Sequence, residues 1–124
     1  MQFPQEAGQL ELDQQRLKAL HGDDRKMLAL ALSMFLDEII PEFDAMGSLV
    51  TAQQWPEFAE QAHKMLPWLG MAGLTSLEHD LRRLEQDAKT APDPDRLRTG
   101  WQAFTTTLDR MKPLLEAELQ RARS

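Results

Sequence analysis

The chain contains no cysteine and no tyrosine, and its aromatic rings come from five phenylalanines and three tryptophans. Without cysteine there can be no disulfide, no thiolate metal site and no cysteine nucleophile. Long apolar runs are also missing: none approaches the roughly 20 residues of a membrane-spanning helix, so membrane insertion is not expected. Residues 1–13 are polar and acidic and lack the basic and apolar segments of a secretory signal peptide. Together with the absence of cysteine, this points to the cytoplasm. Basic residues are in deficit, 14 Lys and Arg against 20 Asp and Glu, for a formal net charge of -6. A nucleic-acid phosphate backbone calls for the opposite balance, and the terminal Arg121-Ala122-Arg123 is too short to reverse it. Alternating β-branched runs are absent, so a Gly-rich phosphate loop after a strand has no place here. Ser33, Ser48 and Ser76 lack an activating motif.

What is present is helical periodicity throughout a length, 124 residues, that fits one domain with one core. A short first helix over residues 13–20 would bury Leu12, Leu17 and Leu20. His21-Gly22-Asp23-Asp24 ends it, and an aspartate caps the next helix. That helix, about residues 24–46, carries Leu28, Leu32, Phe35, Leu36, Ile39 and Phe43, is bent at Pro41 and ends at Gly47-Ser48. A third helix, N-capped near Thr51, spaces Trp55, Phe58, Ala62, Met65 and Leu69 by 3, 4, 3, 4 and breaks at residues 70–73. The fourth spaces Leu74, Leu77, Leu81, Leu84 and Ala88 in the same way. After a turn-rich link, the fifth carries Leu97, Trp101, Phe104, Leu108, Met111, Leu115 and Leu119, with Pro113 inside. Four long heptad-like segments with short links predict an all-α, antiparallel four-helix bundle with an additional N-terminal helix. The domain is read as residues 1–124 with a core of about residues 12–120. The Leu, Met, Phe and Trp stripes are core rather than a cofactor box. The charged Glu78, Asp80, Arg82, Arg83 and Glu85 form a solvated face, and Trp68 packs on the first helix or stands exposed as a contact residue.

His63 stands out against this background. With about 100° per residue and Ala62 at the centre of the buried face, His63 lies about 100° away, at the boundary of core and solvent. Pro56, Pro67 and Gly70 fall on the same side, leaving a low surface beside it for a partner. Lys64 is the next residue round, with a stem long enough to reach back. An exposed imidazole anchored on a core helix can act as a nucleophile through its lone pair, and Lys64 could screen an arriving phosphoryl charge. The bland alternative, a boundary histidine in solvent, fits the same geometry. His79 on an exposed face and His21 at a helix end carry less chemistry. No two histidines have the spacing of a metal pair on one face, and no carboxylate joins them in sequence.

The pattern Ala62-His63-Lys64-Met65, Gly70, Gly73-Leu74, Leu77 and Leu84-Glu85, with Leu12-Asp13, Gly22-Asp23-Asp24 and Phe35 upstream, resembles a histidine-containing phosphotransfer (Hpt) domain. It is similar to the modules at the C-termini of hybrid sensor histidine kinases. The resemblance implies a phosphorelay intermediate without autonomous kinase activity, with His63 as phosphoacceptor, taking a phosphoryl group from one receiver-domain aspartate and passing it to another. It implies response-regulator receivers and a hybrid sensor kinase as partners. No cofactor is bound directly, since Mg2+ belongs to the receiver, and a monomer is expected. The family usually has lysine three residues after its histidine and glycine four after; Leu66 and Pro67 stand there. Those departures favour an alternative, a docking module that binds and regulates a receiver or kinase without transferring phosphate.

Overall fold

The computed structural model describes residues 11–124, so the reading of residues 1–10 lies outside the described part. All regular structure among these residues is helical. Helix α1 is Gln14–His21, α2 is Arg25–Met34, a π-helical turn spans Phe35–Ile39, and α3 is Ile40–Thr51. Then come α4, Trp55–Met71, α5, Thr75–Thr90, and α6, Pro94–Arg123. The all-α expectation holds.

Local chemistry sets the boundaries. Asp13 caps α1 by accepting from the Arg16 N–H at 3.0 Å, and Asp24 caps α2 by accepting from the Met27 N–H at 3.0 Å. Between them, Gly22 takes a positive φ of 58°, which a residue without Cβ adopts at little cost. Asp93 caps α6 ahead of Pro94, whose missing N–H has no helical partner to lose at that position. Pro41 acts differently from the expected bend. The Ile40 N–H bonds to the Phe35 carbonyl, five residues back, and the helix widens into a π turn before the proline. α2, the turn and α3 therefore run on one from another.

Several expectations need correction. Gly47 and Ser48 lie inside α3 rather than ending it. Thr51 is the last residue of α3, with its hydroxyl donating to the Gly47 carbonyl, and does not cap α4; Gln54 occupies that place without a side-chain cap. Leu17 is buried, but Leu20 is 54% exposed and Leu12 only partly buried, because α1 is one short layer that hides a single edge.

The predicted stripes of α4, α5 and α6 are all buried, in one core shared with Leu32, Phe35, Ile39, Ile40 and Phe43. A run of ring contacts, Trp55–Phe58–Trp101–Phe104–Phe43–Phe35, with centroids 5.2 to 6.4 Å apart, crosses that core from α4 through α6 to α3 and the π turn. α4 packs most extensively on α5, while α6 contacts α2, α3 and α5. α4 is therefore held from below, and one of its edges meets α5. His63 stands on that edge.

Candidate phosphotransfer site

α4 starts at Trp55 with Pro56 in its first turn, where a proline fits. Trp55, Phe58, Ala62, Met65 and Leu69 fix its rotation by sinking into the core. That rotation brings His63 to the surface with 69% of its side chain exposed. The ring is nevertheless anchored. Its Nδ1 lies 3.0 Å from Oε2 of Glu85, a residue of α5 that is only 4% exposed. An ionised carboxylate can only accept, so Nδ1 carries the proton and donates it. In the neutral ring, Nε2 then keeps its lone pair and points away from the anchor. The tautomer and the direction of the ring are both set by one buried oxygen.

Lys89, one turn further along α5, donates to that same oxygen at 2.9 Å. Pro56, Ala59, Glu60, His63, Lys64, Ala88 and Lys89 line a cleft of about 470 Å³ between α4 and α5. Its floor is apolar and its rim carries the imidazole and two ammonium groups. Lys64 is exposed and has no ion-pair partner among the described residues. The reach of Lys64 over the site, inferred from its place on α4, agrees with its lining the cleft.

Glu85 and Lys89 are the residues that reasoning from the sequence left out. Glu85 was assigned to a solvated face together with Glu78, and both are buried, at 4% and 9% exposure. The signal was available. Each glutamate follows a buried leucine by four residues (Leu74 to Glu78, Leu81 to Glu85), which is about 40° round the helix and still on the core-facing edge. The same correction supplies His63 with the carboxylate that was missing from its sequence neighbourhood.

The open flank drawn from Pro56, Pro67 and Gly70 is only partly there. Pro67 is exposed, but Gly70 is buried beneath the guanidinium of Arg16, which a Cβ at position 70 would strike. The surface at that level therefore belongs to α1. Arg16 is held there by Glu78 and by the Thr75 hydroxyl, and Thr75 in turn donates to Asp13 at 2.7 Å. The hydrogen bonds from Thr75 and from the Arg16 backbone lower the Asp13 pKa below the ordinary carboxylate value. At the far end of α1, burial opposes the charge on Glu118, yet hydrogen bonds from Gln14 and Arg121 and the Arg121 charge leave its pKa lowered too.

Leu66 and Pro67 differ in kind. Leu66 is 4% exposed and belongs to the core, so a lysine at that position would have to bury its stem and turn its ammonium outward. Pro67 lies within α4 and has no N–H, which leaves the His63 carbonyl without its usual partner four residues on. His79 is exposed, and the His21 ring lies 3.2 Å from the Met71 carbonyl at the end of α4. Trp68 is half-buried against the core, in line with a packing role. Among the described residues no group of three or more His, Cys, Asp or Glu could hold a metal ion, and no helix is long and apolar enough to cross a membrane.

An exposed helix-borne imidazole, oriented by a buried carboxylate at the edge of an all-helical core, is the arrangement of a phosphotransfer protein. The Hpt domain family model matches residues 31–124, and the chain belongs to that family. The match leaves α1 and the start of α2 outside it, including the upstream Leu12-Asp13 and Gly22-Asp23-Asp24 that also carried the resemblance. No curated protein and no solved structure matches the chain. Membership places the chain in histidine phosphotransfer of two-component signalling, with receiver or kinase partners.

Proposed function

We propose that the chain is a phosphorelay intermediate and that His63 is its phosphoacceptor. The observation that carries this reading is the bond from His63 Nδ1 to buried Glu85, which frees Nε2. The Nε2 lone pair forms the N–P bond while the P–O bond to a receiver aspartate breaks, and the bonding pair leaves with the carboxylate. The Nδ1 proton stays on the ring, shared with Glu85, so no proton is released, and the reverse step delivers the group to a second receiver. Mg2+ and in-line alignment come from the receiver. No cofactor is needed on this chain, and no kinase activity of its own is proposed. Lys64 screens the arriving charge. Pro67, with Arg16 lying over Gly70, forms the partner surface beside the histidine. Residues 1–124 act as one domain, an antiparallel four-helix bundle with α1 added, monomeric and cytoplasmic, with a response regulator and a hybrid sensor kinase as partners. The short links between α3, α4, α5 and α6 support the antiparallel order.

A second reading is a docking module that binds and regulates such partners without transfer. Pro67 supports it, since the proline alters the backbone one turn after His63. Incubation with a phosphorylated receiver separates the two. Acid-labile, base-stable label that disappears in His63→Gln is the expected result for transfer. Binding without label from any cognate receiver would leave docking.

A further inference from the structure

We infer that Lys89 is the residue that holds the transferred phosphoryl group, by exchanging its bond to Glu85 for one to a phosphoryl oxygen. This rests on His63 being the phosphoacceptor and goes beyond it by assigning the cation. A phosphoryl group on Nε2 brings close to two negative charges into a cleft where Glu85 already supplies one. Without a cation the carboxylate that orients the ring would repel the group it helps to receive.

Two ammonium groups line the cleft, and they are placed differently. Lys64 follows His63 on α4, is exposed, and is tied to no carboxylate among the described residues. Its position is set by a flexible stem in water. Lys89 is tethered. Its Nζ and the His63 Nδ1 share one acceptor, Glu85 Oε2, at 2.9 and 3.0 Å. That shared oxygen limits their separation to about 6 Å, a range at which charges next to a buried group interact strongly. Ala88 and Ala59 give the site a small apolar wall, and the Lys89 side chain is half-exposed, so its ammonium can swing without leaving the cleft.

The exchange is balanced in charge. Before transfer, Glu85 accepts from both Nδ1–H and Lys89. After transfer the ring, substituted at Nε2 and still protonated at Nδ1, is cationic and satisfies Glu85 more strongly, which releases Lys89 to the phosphoryl oxygens. On return of the group to a receiver, Lys89 falls back to Glu85. Lys89 thus binds the group only while it is present, and Glu85 is left with a partner in both states.

The test uses phosphoramidate as a small phosphoryl donor, so that docking to a receiver is not involved, together with transfer from a phosphorylated receiver. Lys89→Gln is expected to slow labelling of His63 by about tenfold with both donors. It should also raise the midpoint of the phosphohistidine 31P titration by about 0.5–1 pH unit, since a lost ammonium no longer favours the dianion. Lys89→Arg should keep both near wild type, and Lys64→Gln should move both less than Lys89→Gln does. A normally labelled wild type whose Lys89→Gln variant has the same rate and the same 31P midpoint overturns the inference and leaves His63 standing. A wild type that takes label from neither donor overturns both.

Discussion

Glu78 and Glu85 stand seven residues apart on α5, and each is buried at the edge of the core. Each also holds a basic residue four positions on, Arg82 at 3.3 Å and Lys89 at 2.9 Å. Up to this point the two levels repeat one another. They part at the third partner. Glu78 receives the guanidinium of Arg16, brought by α1 and laid over Gly70. Glu85 receives an imidazole from α4 that remains 69% exposed. A buried carboxylate must keep its partners, since removing them strands a charge away from water. At one level the partner is a permanent cation and the result is a clasp. At the other it is a ring with a second nitrogen, and the result is an aimed nucleophile.

The comparison can be tested from its strongest consequence down. His63→Gln should abolish transfer from a phosphorylated receiver while the fold, followed by circular dichroism, persists; residual label would place the chemistry elsewhere. Leu81, fully buried between the two glutamates, supports both levels. Leu81→Ala should lower unfolding free energy in urea by about 2–5 kcal/mol, and a loss confined to one level would show that the core beneath them is not shared. Arg16→Ala removes the clasp but leaves Glu78 with Arg82. It should lower stability by about 1–2 kcal/mol and keep the transfer rate within about twofold, as for a change remote from the reacting atoms. A fall in transfer like that expected of Lys89→Gln would join the two levels into one site.

The smallest effect is a pH dependence. Asp13 has a lowered pKa, chiefly through its bonds from Thr75 and the Arg16 backbone. The stability it contributes is therefore present above the ordinary carboxylate pKa and is lost as pH falls through the lowered folded value. Amide exchange in α1 should speed up on acidification over that window, and Asp13→Asn should remove the dependence. An α1 whose protection ignores acid in the native chain would contradict the role given to this cap.

Much of this was legible before any coordinates. Apolar spacing alone placed every buried side chain named for α4, α5 and α6, because a long helix with a fixed period leaves little freedom over which face is hidden. The edge position of His63 followed from the same geometry. Legibility failed where a side chain obeys a neighbour rather than its own helix. Gly70 reads as open on α4 and is closed by Arg16, a residue 54 positions earlier in the chain. Glu85 reads as solvated by its type and is buried because His63 and Lys89 satisfy it. Leu20 reads as core by its type and is exposed, since α1 is one short helix with a single face to hide. Ile40 is the sharpest case. On an uninterrupted helix it would lie about 140° from Phe35, yet both are buried.

The π turn that accounts for Ile40 has a consequence for how the chain tolerates change in length. A widened turn stores one residue more than an α-helix needs, so the segment beyond it is counted from a new origin. Shortening Phe35–Ile39 by one residue would change no side chain of α3 and yet swing all of it by about 100°, carrying Phe43 and Met46 out of contact with the ring of Phe104 and its neighbours. α4, with His63, takes its rotation from its own stripe and from α5, not from that count. The turn works as a phase setting for α3, fixed by the number of residues it contains and not by which residues they are.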